Sequence, residues 1–473
     1  MRFDGDYRMA VDGSLVRGAT TMPVEDPATG EVFAEAPDAS SDDLDRAVAA
    51  AGQAFPDWAD RSWKARGELL VRLAEAVLSH TDDFAALLTR EQGKPLAEAA
   101  REVRGLANWL TATTAMRLPT QIHEDGPERY CETRHVPIGT VGAITPWNYP
   151  LLLAAFKVAP ALATGNTLVL KPSPFTPLTT LKLGELASPI LPPGVFNVVT
   201  GGDALGPALT GHPGIDKIAF TGSTETGRKV MRSAADGLKR LTLELGGNDP
   251  AIVMPDVDPK ALAETLFQAS FGNAGQVCLA TKRLYVHADI YEAVRDALVA
   301  YAASVKVGPG SDPDTQMGPL ANRQQYDKVV ELIEDCRARG YRYACGGEVP
   351  EGSGWFIPPT IVDDPPDNAR VVLEEQFGPI LPLLRYEDEA DVVARANAGP
   401  YALAASIWTA DPQAGWALGQ KLRAGNVWIN ESRPLAPHVP FAGHGQSGFG
   451  VENGVDGLLE YTLPRTASWK RLG

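Results

Sequence analysis

The chain has 473 residues and a formal net charge of −16 at pH 7. This acidity argues against nucleic acid or an anionic membrane as the main partner, because both would repel it. The length exceeds what one hydrophobic core serves, so we expect two or three domains. Hydrophobic residues make up 44% and charged residues 22%, which is the balance of a soluble globular enzyme.

The four cysteines and seven histidines show no metal-ligand spacing, so we predict no metal site. Four cysteines in a chain this long also do not make a disulfide framework, which favours a reducing, cytoplasmic compartment. The N-terminal segment MRFDGDYRMAVDG lacks an apolar core, so we expect no signal peptide. The longest apolar stretch, 151–163, is interrupted by Lys157 and Pro160 and is too short to span a membrane.

Secondary-structure signals divide the chain into recognisable segments. Residues 3–37 alternate short apolar runs with turn residues, which predicts strands and hairpins. Helical apolar spacing begins at Ser41 and continues to Gly93, and another helix is predicted over about 95–115. Residues 119–137 are polar and β-leaning, which suits a hairpin that projects from the body.

Strand–helix alternation follows from residue 138 to 236 and again from about 251 to 430. Glycine or proline at the strand ends is typical of a parallel sheet with helices on both faces. The C-terminal segment EYTLPRTASW is strand-like and could pair with the 119–137 hairpin or with another subunit. The predicted fold class is α/β, with two Rossmann-like parallel-sheet lobes and a protruding β arm.

Three polar residues suggest covalent chemistry. Cys278 lies in FGNAGQVCLATKR, among small and polar residues. Glu244 ends an apolar run in LELGGN, and Asn148 lies in ITPWNYP. A thiol, a carboxylate and an amide donor suffice to attack a carbonyl, stabilise the oxyanion and hydrolyse the intermediate. Glu244 could instead anchor a turn, and Asn148 could cap the helix that begins near Pro150.

The segment FTGSTETG offers a nucleotide site, because Gly222 and Ser223 would lie at a helix N-terminus that favours phosphate. It matches neither the dinucleotide fingerprint nor a P-loop, and many such turns carry glycine only for packing. Lys171 in KPS ends a strand, where ligands gather in open α/β sheets, although a solvated lysine is the simpler interpretation.

Taken in order, the motifs PWNYP, KPS-x-x-TP, FTGSTETG, LELGGN, GQVC, EEQFGP, NVWIN and PFAGHGQSGFG resemble the aldehyde dehydrogenase superfamily from about residue 20 onward. The resemblance is nearest to bacterial members that oxidise free aldehydes with NAD or NADP. It implies that Cys278 is the nucleophile, Glu244 the general base and Asn148 the oxyanion donor, assisted by the Cys278 backbone N–H. The implied cofactor-binding residues are Thr145, Pro146, Trp147, Lys171, Ser173, Gly222, Ser223, Glu375 and Phe377.

The resemblance also implies domain roles. Residues 1–118 and 138–245 would bind the cofactor, with 441–455 returning to them, and 246–440 would form the catalytic domain. Residues 119–137 and 456–473 would form an oligomerisation arm, so a homodimer or homotetramer is expected. A free cysteine is more often buried and inert than reactive, so Cys131, Cys336 and Cys345 are expected to be inert, and Cys278 is the exception because of its flanking motif.

Several positions depart from the family pattern. Pro174 replaces a frequent Glu that repels the 2′-phosphate of NADP, so strict preference for NAD is not expected. Ala442 and Gly445 stand where Gly and Lys are usual. Leu463 stands where some members have a Glu proposed to relay protons, so that route would use other groups or water.

The substrate is expected to be an apolar or aromatic aldehyde. The residues that match or neighbour tunnel-lining positions are mostly apolar: Trp109, Leu152, Leu153, Phe156, Val277 and Leu279. Arg433 would favour a carboxylate-bearing semialdehyde and Glu431 an aminoaldehyde. Two alternatives stay open, a CoA-acylating enzyme, which commonly lacks the Glu244 base, and a non-catalytic protein of this fold.

Overall fold

The computed structural model describes residues 2–471. Its N-terminal part forms two hairpins, as the alternating pattern predicts: β1 (Met9–Val11), β2 (Ser14–Val16), β3 (Thr20–Asp26) and β4 (Glu31–Asp38). The first hairpin turns at Asp12 and Gly13, whose φ angles are +53° and +70°. Two consecutive left-handed residues give the tight turn that Asp-Gly favours between antiparallel strands.

Four helices and a hairpin follow: α1 (Ser41–Ala59), α2 (Trp63–Leu78), α3 (Thr81–Gln92), α4 (Leu96–Ala115), β5 (Gln121–Asp125) and β6 (Arg129–Pro137). The segment from Ser41 to Gly93, which the apolar spacing predicts to be helical, therefore forms three helices. Periodicity alone missed the breaks because apolar spacing resumes after each one. The Ser62 hydroxyl accepts from the Ala65 N–H and restarts the helix, while Gly93 ends the last one at φ +97°.

The first parallel sheet and its helices come next: β7 (Thr140–Ile144), α5 (Pro150–Ala163), β8 (Thr167–Lys171), α6 (Leu178–Ala187), β9 (Phe196–Val198), α7 (Leu205–Gly211), β10 (Lys217–Thr221), α8 (Thr224–Ala235) and β11 (Arg240–Glu244). Strands β7 to β11 run parallel in the order β9-β8-β7-β10-β11. The order reverses between β7 and β10, and such a switch point opens a crevice at the strand carboxyl ends.

The second sheet is built from a longer series: β12 (Pro250–Val253), α9 (Pro259–Phe271), β13 (Arg283–His287), α10 (Tyr291–Ser304), α11 (Arg323–Ala338), β14 (Arg342–Cys345), β15 (Thr360–Asp363), α12 (Arg370–Leu373), β16 (Ile380–Tyr386), α13 (Glu389–Ala396), β17 (Tyr401–Ala402), β18 (Ala404–Trp408), α14 (Pro412–Gly419) and β19 (Asn426–Ile429). Its order is β14-β15-β16-β13-β12-β18-β19, and only β14 is antiparallel to its neighbour. The α/β fold class with parallel sheets is confirmed.

The C-terminal part contains β20 (His444–Gly445), β21 (Gly448–Phe449), α15 (Gly454–Leu459) and β22 (Thr462–Lys470). Strand β20 pairs with β17, and β21 pairs with β11 at the edge of the first sheet. Strand β22 pairs antiparallel with β6 along its whole length, from Thr462 opposite Pro137 to Lys470 opposite Arg129. The C-terminal segment thus joins the 119–137 hairpin within one chain, in a sheet ordered β22-β6-β5.

Candidate active site

A cleft of about 560 Å³ lies where the carboxyl ends of the first sheet meet the amino ends of the second. The loops that precede β13 and β16 meet there, because these strands are parallel neighbours. The cleft is lined by all the sequence-predicted catalytic and cofactor residues and by Leu153: Thr145, Pro146, Trp147, Asn148, Lys171, Ser173, Gly222, Ser223, Glu244, Cys278, Glu375 and Phe377.

Cys278 is presented by an unusual turn. Helix α9 ends in a 3₁₀ turn over Gly272–Gly275, in which Asn273, Ala274 and Gly275 all have positive φ, between 52° and 71°. A Cβ on Gly275 would lie 2.3 Å from the Gly378 carbonyl oxygen, so only glycine fits there. The turn therefore packs closely against the loop before β16, and Cys278, three residues after Gly275, lines the cleft.

Asn148 lies just before α5 and is held from both ends. Its amide Nδ2 donates to the Gln276 carbonyl at 2.9 Å, two residues before Cys278. Its own carbonyl accepts from the Lys94 ammonium at 2.9 Å and from the Asn273 amide at 3.1 Å. Since an amide has two N–H donors, the second remains available to a substrate oxygen.

Lys94 belongs to a buried polar cluster that the sequence analysis did not find. Its ammonium also bonds the Glu102 carboxylate and lies 3.7 Å from the centre of the Tyr149 ring. The second Glu102 oxygen accepts from the backbone N–H groups of Leu151 and Leu152. These groups lie in the first turn of α5, where backbone N–H groups have no partner within the helix. The cluster fixes the helix that follows Asn148.

Glu244 ends β11 and is only 4% exposed, and neither of its carboxyl oxygens has a hydrogen-bond partner among the described residues. Burial raises the pKa of this carboxyl to about 8. The Lys157 ammonium and the Cys278 thiol beside it oppose that rise. A pKa near working pH suits a general base.

A buried ion pair between Lys157 on α5 and Glu452 after β21 lies behind Glu244. Both side chains are almost wholly buried, and the second Glu452 oxygen lacks a partner among residues 2–471. The only sequence signal was a lysine inside an otherwise apolar helix. Leu463, by contrast, pairs with Val136 in the arm.

We predict that Lys157→Met lowers the free energy of unfolding by about 3–5 kcal/mol, because it leaves the Glu452 carboxylate buried without a counter-charge. Chemical denaturation followed by circular dichroism measures this loss. Lys229→Met breaks an exposed pair with Glu225 and serves as the control, with no measurable change expected. Equal stability of Lys157→Met and the parent chain would contradict the prediction.

The opposite end of the cleft carries the first turn of α8. Ser223 caps this helix by accepting from the Thr226 N–H at 3.2 Å, and Gly222 donates to the Glu244 carbonyl at 3.0 Å. The neighbouring Lys171 is buried, which lowers the pKa of its ammonium to about 8, against the opposing charges of Asp203 and Asp38. Within residues 2–471, the one hydrogen bond of its ammonium is a 3.4 Å contact with the adjacent Pro172 carbonyl.

Between these two ends lie Glu375 and Phe377. The Phe377 ring meets Trp147 edge-on, with centroids 5.3 Å apart. Phe377 has a φ of +52°, and the Gln325 side chain donates to its carbonyl at 3.0 Å. Sequence reasoning missed the α11 side of the cleft because no motif marks it: Asn322, Gln324, Gln325 and Lys328.

The remaining residues predicted for the substrate lie outside this cleft. Trp109 and Phe156 stack in the core at 5.1 Å, and the Trp109 indole donates to Asn453. Val277 and Leu279, on either side of Cys278, pack into a small apolar cluster with Leu403, Ala404 and Phe441. Arg433 is half-buried and donates to the Gln268 carbonyl at 2.6 Å, whereas Glu431 is exposed.

No group of three or more His, Cys, Asp or Glu side chains within 2–471 could hold a metal ion. Across the same range, every helix is too short or too polar to cross a membrane.

Comparison with known proteins agrees with the geometry. The aldehyde dehydrogenase family profile matches residues 15–467. A phenylacetaldehyde dehydrogenase of Pseudomonas fluorescens is 40% identical over 477 residues, covering 97% of this chain and 95% of the relative. The NAD⁺ complex of a Bacillus cereus aldehyde dehydrogenase superposes with a TM-score of 0.96 at 37% identity, covering 99% and 97% of the two chains.

An NADP-dependent enzyme of E. coli also superposes with a TM-score of 0.96 at 37% identity, covering 99% of this chain and 98% of the other. The chain belongs to the aldehyde dehydrogenase family. It is an NAD(P)-dependent oxidoreductase that acts on aldehydes.

Proposed function

We propose that this enzyme oxidises an aldehyde to a carboxylic acid through a thioester on Cys278, which water activated by Glu244 then hydrolyses. The observation that carries the proposal is the convergence of Cys278, Asn148 and Glu244, from three separate segments of the chain, on one cleft. Each supplies one function that acyl chemistry needs: a nucleophile, an oxyanion donor and a base.

The rest of the cleft fits a nicotinamide dinucleotide. The free N–H groups at the start of α8 suit a pyrophosphate, and the weakly bonded Lys171 ammonium suits ribose hydroxyls. Glu375 would hold the second ribose, with Phe377 and Trp147 beside the ring. When bound, the cofactor accepts the hydride of the aldehyde carbon.

Residues of the chain itself supply the nucleophile and stabilise the oxyanion. The Cys278 thiolate adds to the aldehyde carbon, and the resulting oxyanion accepts from the free Asn148 N–H and from the Cys278 backbone N–H. Loss of hydride from this thiohemiacetal leaves a thioester on the sulfur. Removing one such donor typically costs about 10²–10³ in turnover, so Asn148 is central to the first half of the reaction.

Glu244 acts in the second half. As a carboxylate it takes a proton from water, which attacks the thioester and releases the acid. The buried Lys157–Glu452 pair lies next along the interior and offers polar groups through which that proton can leave. The pair would thus serve as the proton route in place of the Glu that some family members have and that Leu463 replaces here.

We predict activity with both cofactors, because Pro174 lines the cleft and offers no carboxylate to repel a 2′-phosphate. Pro174→Glu should lower kcat/KM for NADP by about tenfold or more and change that for NAD little. Steady-state absorbance at 340 nm with each cofactor measures this. In the parent chain, NADP more than about a thousandfold worse than NAD would contradict the prediction.

The substrate is proposed to be an apolar or aromatic aldehyde. Leu153, a predicted substrate residue that does line the cleft, is apolar, and the half-buried Arg433 is already engaged by a backbone carbonyl. The name of the Pseudomonas relative points the same way. A panel of aromatic, aliphatic, semialdehyde and aminoaldehyde substrates tests it, and preference for a charged aldehyde would contradict it.

The same panel separates the alternatives. Acid formation without added CoA excludes an acylating enzyme, and the buried Glu244 favours hydrolysis. The non-catalytic alternative predicts that no aldehyde in the panel reduces either cofactor, whereas continued production of reduced cofactor after alkylation of Cys278 would contradict the proposed role of this thiol.

We also propose that the β22-β6-β5 arm joins copies of the chain. Strand β5 is exposed along its length, and Ile122 and Trp469 are exposed apolar side chains on the arm. An open edge with apolar side chains favours pairing with another chain. Sedimentation of the chain without 456–473 tests the role of the arm. The domain roles and the cytoplasmic location predicted from the sequence are also part of the proposed function.

A further inference from the structure

Lys282 is a buried lysine that follows the nucleophile by four residues. Its side chain is 2% exposed. Its ammonium donates to the carbonyl of Val277 at 2.9 Å and to the carbonyl of Cys278. Because a buried ammonium needs acceptors, these bonds hold the two carbonyls on one side of the loop and leave the loop little freedom.

The same ammonium also reaches the cofactor end of the cleft. It lies 3.5 Å from the Glu375 carboxylate, which in turn accepts from the Gly247 N–H at 2.9 Å. The Lys282 backbone N–H donates to the Asp249 carbonyl at 2.9 Å, and Gln376 donates to the Lys282 carbonyl at 3.1 Å. Lys282 is thus fixed at both its backbone and its side chain.

Charges of both signs surround the Cys278 thiol. Burial raises its pKa well above the ordinary value, and the Glu244 and Asp249 carboxyls raise it further. The Lys282 ammonium opposes this rise. A thiol beside two carboxyl groups reacts poorly unless a cation stabilises its thiolate.

We propose that Lys282 is the positioning residue of the nucleophile: it fixes the Cys278 loop and supplies the positive charge that favours the thiolate, while Glu375 partly neutralises that charge. The thiol proton leaves to water, and no other bond changes. This inference rests on the proposed role of Cys278. It adds a residue whose charge, rather than any contact with substrate, sets the reactivity of the sulfur.

Alkylation of Cys278 by iodoacetamide, followed by peptide mass across pH 6–10 in the full chain without cofactor or aldehyde, tests this; the pH midpoint is the pH at which half of the Cys278 is alkylated in a fixed time. Lys282→Gln and Lys282→Met should raise the pH midpoint by about one unit, a tenfold slower reaction at neutral pH. Lys282→Arg keeps the charge and should restore the parent midpoint. Glu375→Gln removes the counter-charge and should lower it.

Lys217→Gln is the matched control, because Lys217 is equally buried but bonds Thr242 on β11, away from the Cys278 loop. It is expected to lower thermal stability and leave the midpoint unchanged. Alkylation of Cys131 in the same samples is an internal standard.

An unchanged midpoint in folded Lys282→Gln, or an equal shift in Lys217→Gln, would overturn the proposal. If Lys282→Met fails to fold, Lys282→Gln and Glu375→Gln decide the matter, since they move the midpoint in opposite directions. The assay requires no turnover, so a chain that oxidised no aldehyde would contradict the proposed function without affecting this result.

Discussion

Cys278→Ala is expected to abolish aldehyde oxidation and to leave cofactor binding intact. The substitution removes the only atom proposed to bond the substrate, while the α8 N-terminus and Lys171 are untouched. Losing a nucleophile costs about 10⁴-fold or more in turnover. Reduced cofactor measured at 340 nm, together with cofactor titration by protein fluorescence, separates the two effects.

Cys336→Ala is the matched control for this variant. Cys336 is fully buried in the core of the second sheet and away from the cleft, so its loss should lower stability and spare turnover. Intact mass of the parent chain mixed with aldehyde and cofactor should show an acyl adduct on Cys278. Turnover in Cys278→Ala within tenfold of the parent would refute the covalent mechanism.

Glu244→Gln should give a burst of reduced cofactor, close to one per active site, and then stall. The first half of the reaction needs Cys278 and Asn148, whereas hydrolysis needs a base, whose loss costs about 10²–10⁴-fold. Rapid mixing with aldehyde measures the burst amplitude and the following steady rate. Release of a hydroxamic acid when hydroxylamine is added after the burst, once free aldehyde has been removed, would show that the thioester accumulates.

The pH dependence of the parent chain follows from the same carboxyl. Because the pKa of Glu244 is raised to about 8, it is largely protonated at pH 7 and becomes a base as pH rises. Acid release should therefore accelerate as pH rises through 8, and the residual rate of Glu244→Gln should lack this limb. The absence of a burst in Glu244→Gln, or a pH profile of Glu244→Gln identical to that of the parent chain, would contradict the assignment of Glu244 as the base.

Glu91→Gln provides the control for a buried carboxyl. Burial raises the pKa of Glu91 to about 7, and its carboxylate caps α6 through the Leu178 and Thr179 N–H groups. Its replacement should destabilise the chain without producing a burst. The comparison separates loss of a base from general damage to a buried acid.

Local patterns predicted much of the secondary structure. The apolar spacing identified helical residues from Ser41 onward but missed the breaks before α2 and α3, of which the first is set by the Ser62 cap. Strands β14, β15 and β18 were not predicted, because short apolar runs have no period that separates strand from helix. The pairing of β22 with β6 was one of two alternatives, and only the structure chose between them.

By itself, the sequence was enough to assign the fold class, the family and the cleft residues that lie in motifs, because glycine turns, helix starts and a flanked cysteine are properties of short segments. Only the tertiary structure paired Lys157 with Glu452, 295 residues apart, and placed Lys282 between Cys278 and Glu375. The reason is physical: a buried charge is tolerated where packing supplies its partner, and no local pattern records which distant residue that is.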